Sequence, residues 1–126
     1  MKKFLIIVLF FNLSNTHAYS IEPQKFVQST VNKASQVLSK NISKEEKMNG
    51  LKIIAKETVD ITGIGFYSLG SARKILDDTQ KRIYFDLFEN YFLKSFSSRL
   101  SEYTNPKIEV ISKKIINKNY TIVNSI

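Results

Sequence analysis

Gln80-Lys81-Arg82-Ile83-Tyr84-Phe85-Asp86-Leu87-Phe88-Glu89-Asn90-Tyr91-Phe92-Leu93-Lys94-Ser95-Phe96-Ser97-Ser98-Arg99-Leu100-Ser101-Glu102-Tyr103 is the stretch on which the fold turns. Seven of the chain's fifteen aromatic residues fall in these twenty-four positions. Its apolar side chains recur at helical steps and predict a helix whose apolar surface is wider than one stripe, which implies burial on more than one side. Asp77 and Gln80 form a capping pattern at its start: a short oxygen-bearing side chain takes an orphan N–H while the residue three positions on reaches back. Thr104-Asn105-Pro106 stops it, because proline cannot continue a helix and forces its predecessor out of helical geometry.

Beyond Pro106 the period changes. Lys107 to Ile116 is β-branched and alternating over its first half, Tyr120 to Ile126 is similar, and Asn117-Lys118-Asn119 supplies a turn between them, so the tail predicts a β-hairpin. A lone two-stranded ribbon is marginal in water. Such a hairpin must be covered by helices or joined by further strands.

Upstream, Pro23 suits the first position of a helix, where its missing N–H costs nothing. Val27, Val31, Ala34 and Leu38 form that helix's apolar stripe, with Asn41 as its expected end. Ser43-Lys44-Glu45-Glu46 is a capping box that starts a second helix at Lys44, with a stripe of Met48, Leu51, Ile54, Ala55 and Val59. Gly63-Ile64-Gly65 and Gly70 follow it and predict a break or a close approach of packed elements. They are not a phosphate cradle, since no strand precedes them and no Gly-Lys-Ser/Thr run follows.

Residues 1–18 have the layout of a secretory signal peptide: basic Lys2-Lys3, an apolar run from Phe4 to Phe11, and a polar stretch ending at Ala18. The run is far shorter than the roughly 20 residues a membrane-spanning helix needs. Cleavage there leaves residues 19–126 as a single domain and removes the only histidine, His17. The nineteen basic residues then fall to seventeen against eleven acidic ones, a net charge of +6. This excess favours anionic lipid, an acidic partner or, in a nucleic-acid setting, phosphate backbones, although lysine-rich faces also simply keep small proteins soluble. An exported protein seldom meets nucleic acid, which is therefore not expected as a partner.

Catalytic constellations are poorly supported. Cysteine is absent, so thiol nucleophiles, thiolate metal sites and disulfides are excluded, and without His17 no Ser-His-Asp arrangement remains. Glu45-Glu46 and Asp77-Asp78 sit at predicted helix starts, where free N–H groups favour negative charge. Glu57 and Asp60, one helical turn apart, read as a solvated face rather than metal ligands. Three Asn-x-Ser/Thr matches, at Asn12, Asn41 and Asn119, are expected by chance. No enzyme, metal or cofactor is expected. The aromatic helix leaves two readings open: packed core, the usual meaning of such a stripe, or the wall of an apolar ligand cavity in an exported basic protein.

Taken together, Asp60, Gly70 and the series Gln80-x3-Tyr84-x3-Phe88-x2-Tyr91-x4-Phe96-x3-Leu100-x2-Tyr103 resemble the MlaC family of periplasmic phospholipid-binding proteins, the toluene-tolerance auxiliary component of an ABC transport system. The resemblance implies an α+β fold in which N-terminal helices pack on an antiparallel hairpin, the start of a curved sheet enclosing acyl chains. It implies a non-enzymatic, periplasmic shuttle that maintains outer-membrane lipid asymmetry. Its implied partners are phospholipid, an inner-membrane MCE-domain ABC transporter and an outer-membrane lipoprotein complex. Phe66, Leu69, Tyr84, Phe88, Tyr91 and Phe96 are then expected in the pocket wall, with Lys74, Lys81 and Arg82 as charges near its mouth. Family members continue past the hairpin with further strands and a final helix, so residues 19–126 are expected to be an incomplete domain that holds lipid weakly. The competing expectation is a small exported basic interaction module, or a non-functional fragment of a carrier.

Overall fold

A computed structural model describes residues 21–126; the expected signal peptide and its cleavage point lie outside these residues. Four α-helices precede a two-stranded antiparallel sheet, an α+β arrangement as expected: α1 (Pro23–Ser39), α2 (Lys44–Thr58), α3 (Ile61–Ser68), α4 (Asp78–Leu100), β1 (Val110–Asn117) and β2 (Tyr120–Ser125), with a short 3-10 turn at Gly70–Lys74.

The helix starts follow from their caps. Ser43 Oγ accepts the Glu46 N–H at 3.2 Å while the Glu46 carboxylate accepts the Ser43 N–H at 2.9 Å. Asp77 and Gln80 do the same for α4, at 2.8 and 3.0 Å. Each cap of this kind contributes about 1 kcal/mol, so both helices begin where their sequences place them. The segment after α2 departs from the expectation of a break. The break falls at Val59-Asp60, and Ile61–Ser68 continues as helix through both glycines, because the Asp60 carboxylate accepts the Gly63 N–H at 2.9 Å and nucleates a new first turn. The glycines answer to packing instead. A Cβ on Gly65 would stand 2.9 Å from Phe88 Cδ1, so only hydrogen fits where α3 crosses α4.

α1 and α2 are antiparallel neighbours, with Gly50 of α2 against Val37 of α1 and Lys33 paired to Glu57. α2 and α4 are likewise antiparallel, joined by Lys56–Glu89 at one end and Lys44–Glu102 at the other. The core sits among α2, α3 and α4, where Ala55, Ile61 and Leu93 are buried and Val59, Phe88, Phe92 and Phe96 pack around them. Leu38 and Leu51 are the other buried apolar side chains among the described residues.

That core is small for so aromatic a helix. α4 packs against α2 and α3 on one side, but its row Ile83, Leu87, Tyr91 is exposed. The expected burial on more than one side is thus not met within the described residues. The physical reason is that the hairpin lies against α1 and not across α4.

The strands pair with Lys113 opposite Val123 and Lys114 opposite Ile122, around a turn at Lys118-Asn119. β1 begins at Val110, three residues later than its alternation suggests, because Lys107 and Ile108 run alongside α1, while Glu109 already exchanges backbone hydrogen bonds with Ile126 at 2.8 and 3.0 Å. Ile111, Ile115, Ile116, Tyr120 and Ile122 are exposed, so the helices cover the hairpin only in part.

Candidate functional site

The linker from α4 to β1 is held to α1 by polar contacts one and then two helical turns apart. Ser39 Oγ donates to Asn105 Oδ1 at 2.9 Å, Ser35 Oγ donates to the Pro106 carbonyl at 3.3 Å, and the Val110 N–H donates to Gln28 Oε1 at 3.3 Å. Asn105 has φ 54°, a left-handed conformation that asparagine tolerates better than most residues and that turns the chain back onto α1. At the far end of α1, Lys113 Nζ donates to the Glu22 carboxylate. Together these contacts lay the hairpin along one helix.

Between these tethers the surfaces do not close. A cleft of about 470 Å³ is bounded by Ala34 and Leu38 of α1, Leu100 and Tyr103 at the end of α4, and Pro106 and Ile108 of the linker. An adjoining cleft of about 500 Å³ shares Ser35, Pro106, Lys107 and Ile108 with it and extends past Val31 to Glu109 and Ile126. Both volumes lie in the range of small-molecule sites, about 300 to 1,000 Å³. Apolar side chains dominate the first cleft, and exposed Lys107 is the one cationic residue among those lining it. An apolar hollow with one cation at its edge suits an amphiphile bearing an anionic head, while the arrangement offers no nucleophile paired with a base.

None of the residues expected in a pocket wall lines these two clefts. Tyr84, Phe88 and Phe96 stand with Phe92 in one four-residue row of α4, stacked ring on ring with centroids 5.7 to 6.3 Å apart. All four are half-buried, and Phe88, Phe92 and Phe96 pack on the core. Tyr84 Oη donates to the Gly65 carbonyl at 3.2 Å, which ties this row to α3. Phe66 lies beside Phe85 with the Arg73 guanidinium 5.2 Å above its ring, and Leu69 caps the end of α3. Tyr91 stands apart, 70% exposed on the neighbouring row with Leu87. Lys74 ends the 3-10 turn, and Lys81 and Arg82 lie in the first turns of α4, where Lys81 approaches Asp78 at 3.8 Å; none of them borders the α1–linker clefts. The structure therefore joins Tyr84, Phe88 and Phe96 into one aromatic ridge that Phe85 extends to Phe66, with Leu69 at the end of α3 and Tyr91 on the neighbouring row.

Nothing in the sequence marks the cleft residues Ala34, Leu38, Tyr103, Lys107 and Ile108 as site residues. Ala34 and Leu38 read only as a core stripe, and Lys107 and Ile108 as strand. The available signal was Pro106, whose neighbours are pushed into extended backbone that can run alongside a helix without pairing.

The charges that hold the hairpin respond to acid. The hydrogen bond and positive charge of Lys113 keep the Glu22 carboxyl below its ordinary value of 4.5, and the Ser43 hydroxyl and backbone hold Glu46 below it likewise. A lowered folded-state value means that each contributes stability fully present above about pH 4.5 and lost as pH falls through the folded value. Acidification below pH 4.5 is thus expected to loosen the hairpin from α1, with amide exchange in β1 and β2 rising before exchange in α4. Glu22→Gln should remove most of that acid response in the hairpin, and an unchanged response would show that another group holds it.

A family model described as MlaC protein matches residues 28–126. Comparison with curated proteins and with solved structures gives no match. The matched residues run from α1 through β2 and so take in both the aromatic ridge and the clefts beside the linker. With about four-fifths of its length matched, this chain belongs to the MlaC family, periplasmic phospholipid-binding components of lipid transport.

Proposed function

We propose that this protein is the periplasmic shuttle of an ABC-type intermembrane system that maintains outer-membrane lipid asymmetry. It receives and delivers phospholipid between an inner-membrane MCE-domain transporter and an outer-membrane lipoprotein complex, after export with cleavage near Ala18. The observation that carries this reading is the apolar cleft between α1 and the Tyr103–Ile108 linker, with Lys107 at its edge. Acyl chains lie against Ala34, Leu38, Leu100 and Ile108, while the lysine stem follows the apolar wall and its ammonium meets the lipid phosphate.

The ridge of Tyr84, Phe88 and Phe96, with Phe66 and Leu69, is the second apolar surface in this reading, reached from the side of α4 that the core leaves half-covered. Tyr91 extends that surface on the next row. Residues 19–126 act as one unit. The protein works by binding and release and carries out no bond chemistry.

Extraction of the protein purified from the periplasm, followed by mass spectrometry of the extract, tests the reading. Phospholipid at a reproducible molar ratio, raised when detergent-free vesicles are supplied, is the expected result. Protein that carries no phospholipid and takes none from vesicles would overturn it.

A further inference from the structure

Two projecting corners of the molecule share one end. Lys33–Glu57 and Lys56–Glu89 set α1, α2 and α4 side by side, with α1 and α4 pointing the same way. Glu22 precedes Lys33 by eleven residues and Asp78 precedes Glu89 by eleven, so at about 1.5 Å per residue both helix starts lie a similar distance beyond those ion pairs. The middle of β1 is fastened at Glu22 through Lys113, so the tip at Lys118-Asn119 lies beyond the start of α1, and the corner between α3 and α4 leads directly into Asp78.

Both corners combine exposed apolar side chains with cations. Tyr67 is 84% and Ile75 83% exposed at the α3–α4 corner, and Ile115 is 68% exposed at the hairpin tip beside exposed Ile116 and Tyr120. Single exposed apolar residues are ordinary, but repeated ones gathered at two tips form a surface. Residues 61–76 contain Arg73 and Lys74 and no acid; residues 110–126 contain Lys113, Lys114 and Lys118 and no acid. The acids beyond those ion pairs are Glu22, engaged by Lys113, Asp60 at the cap of α3, Asp77 and Asp78 at the cap of α4, and Asp86, and the further cations Lys25, Lys81 and Arg82 lie there with them.

We propose that this end docks on the surface of an anionic phospholipid bilayer. Isoleucine and tyrosine tips enter the headgroup region, where a ring with one polar end is well placed, while the lysines and Arg73 meet lipid phosphates. Convex tips point to a bilayer rather than to an acidic protein, which would have to present a matching hollow for each. This docking is separate from cargo binding, since none of these side chains lines the α1–linker clefts.

Cosedimentation with phosphatidylcholine vesicles, with and without phosphatidylglycerol, tests it on the delipidated full-length mature protein. Binding should require phosphatidylglycerol and weaken at high salt, and two double variants, K114E/K118E and I115S/Y120S, should each reduce it about tenfold or more. Circular dichroism melting confirms that the variants are folded, and Tyr67→Ser with Ile75→Ser at the other corner gives a second route should the hairpin variants unfold. Equal binding to both vesicle types, wild-type binding by folded variants, or no vesicle binding at all would overturn the proposal. Copurifying lipid should be unchanged in every variant, so loss of docking and loss of the carrier reading are distinguishable.

Discussion

Leu93→Ala is expected to lower stability by about 2 to 5 kcal/mol, the usual cost of truncating a buried leucine where the surroundings cannot collapse. Leu93 packs with Ala55 of α2 and Ile61 of α3, so one side chain joins three of the four helices. The loss is large because the buried apolar set is small and domains are stable by only about 5 to 15 kcal/mol in total. Urea denaturation followed by circular dichroism should show an earlier midpoint at unchanged slope, together with loss of any lipid taken up, since α4 ends at Leu100, which lines the cleft with Tyr103 just beyond it. A loss below about 1 kcal/mol would mean that the helices are held chiefly by their exposed ion pairs, which seldom contribute so much.

The same helix shows what the sequence made legible and what it hid. Caps and stops are local, so Asp77-x-x-Gln80, Ser43-x-x-Glu46 and Pro106 gave the helix starts and the change to strand without any knowledge of neighbours. The α+β order followed from them. The family was legible in the spacing of Gln80, Tyr84, Phe88, Phe96 and Tyr103, residues that share a face only once the helix exists. Which faces are covered is a different kind of fact. Periodicity marks Phe88 and Tyr91 as equally apolar, yet the crossing of α3 at Gly65 half-buries the first while the second stays exposed. That crossing depends on Asp60 restarting a helix through two glycines, against their intrinsic preference. The cleft was hidden for a similar reason. Lys107 and Ile108 alternate as a strand should, but Ser35 and Ser39 hold the preceding residues against α1 before pairing begins.

Core and cargo site separate under the same substitution at two positions. Ala34→Trp places an indole in the hollow between α1 and the linker, where Ala34 faces Leu100, Tyr103 and Ile108 and no packed neighbour has to move. Lipid retention should fall to a small fraction of wild type, with the melting temperature of the delipidated protein nearly unchanged. Phe96→Trp acts where the ring already stacks on Phe92 at 5.7 Å and packs on the buried cluster, so the larger ring must displace neighbours at a cost of about 1 to 3 kcal/mol. Melting should drop in lipid-free protein, whatever happens to retention. Should Phe96→Trp instead abolish retention at unchanged melting, the half-covered side of the aromatic ridge would be the surface that holds acyl chains. Should Ala34→Trp leave retention intact, the α1–linker cleft would be excluded as the cargo site. Phe88→Trp offers a check on the first of these outcomes. Phe88 lies against Gly65, and growth of its ring strains the α3–α4 crossing, so its variant should melt early even if the ridge does bind lipid. Retention measured on both rings, set against melting of each, therefore distinguishes a ring that supports the fold from one that also meets the cargo.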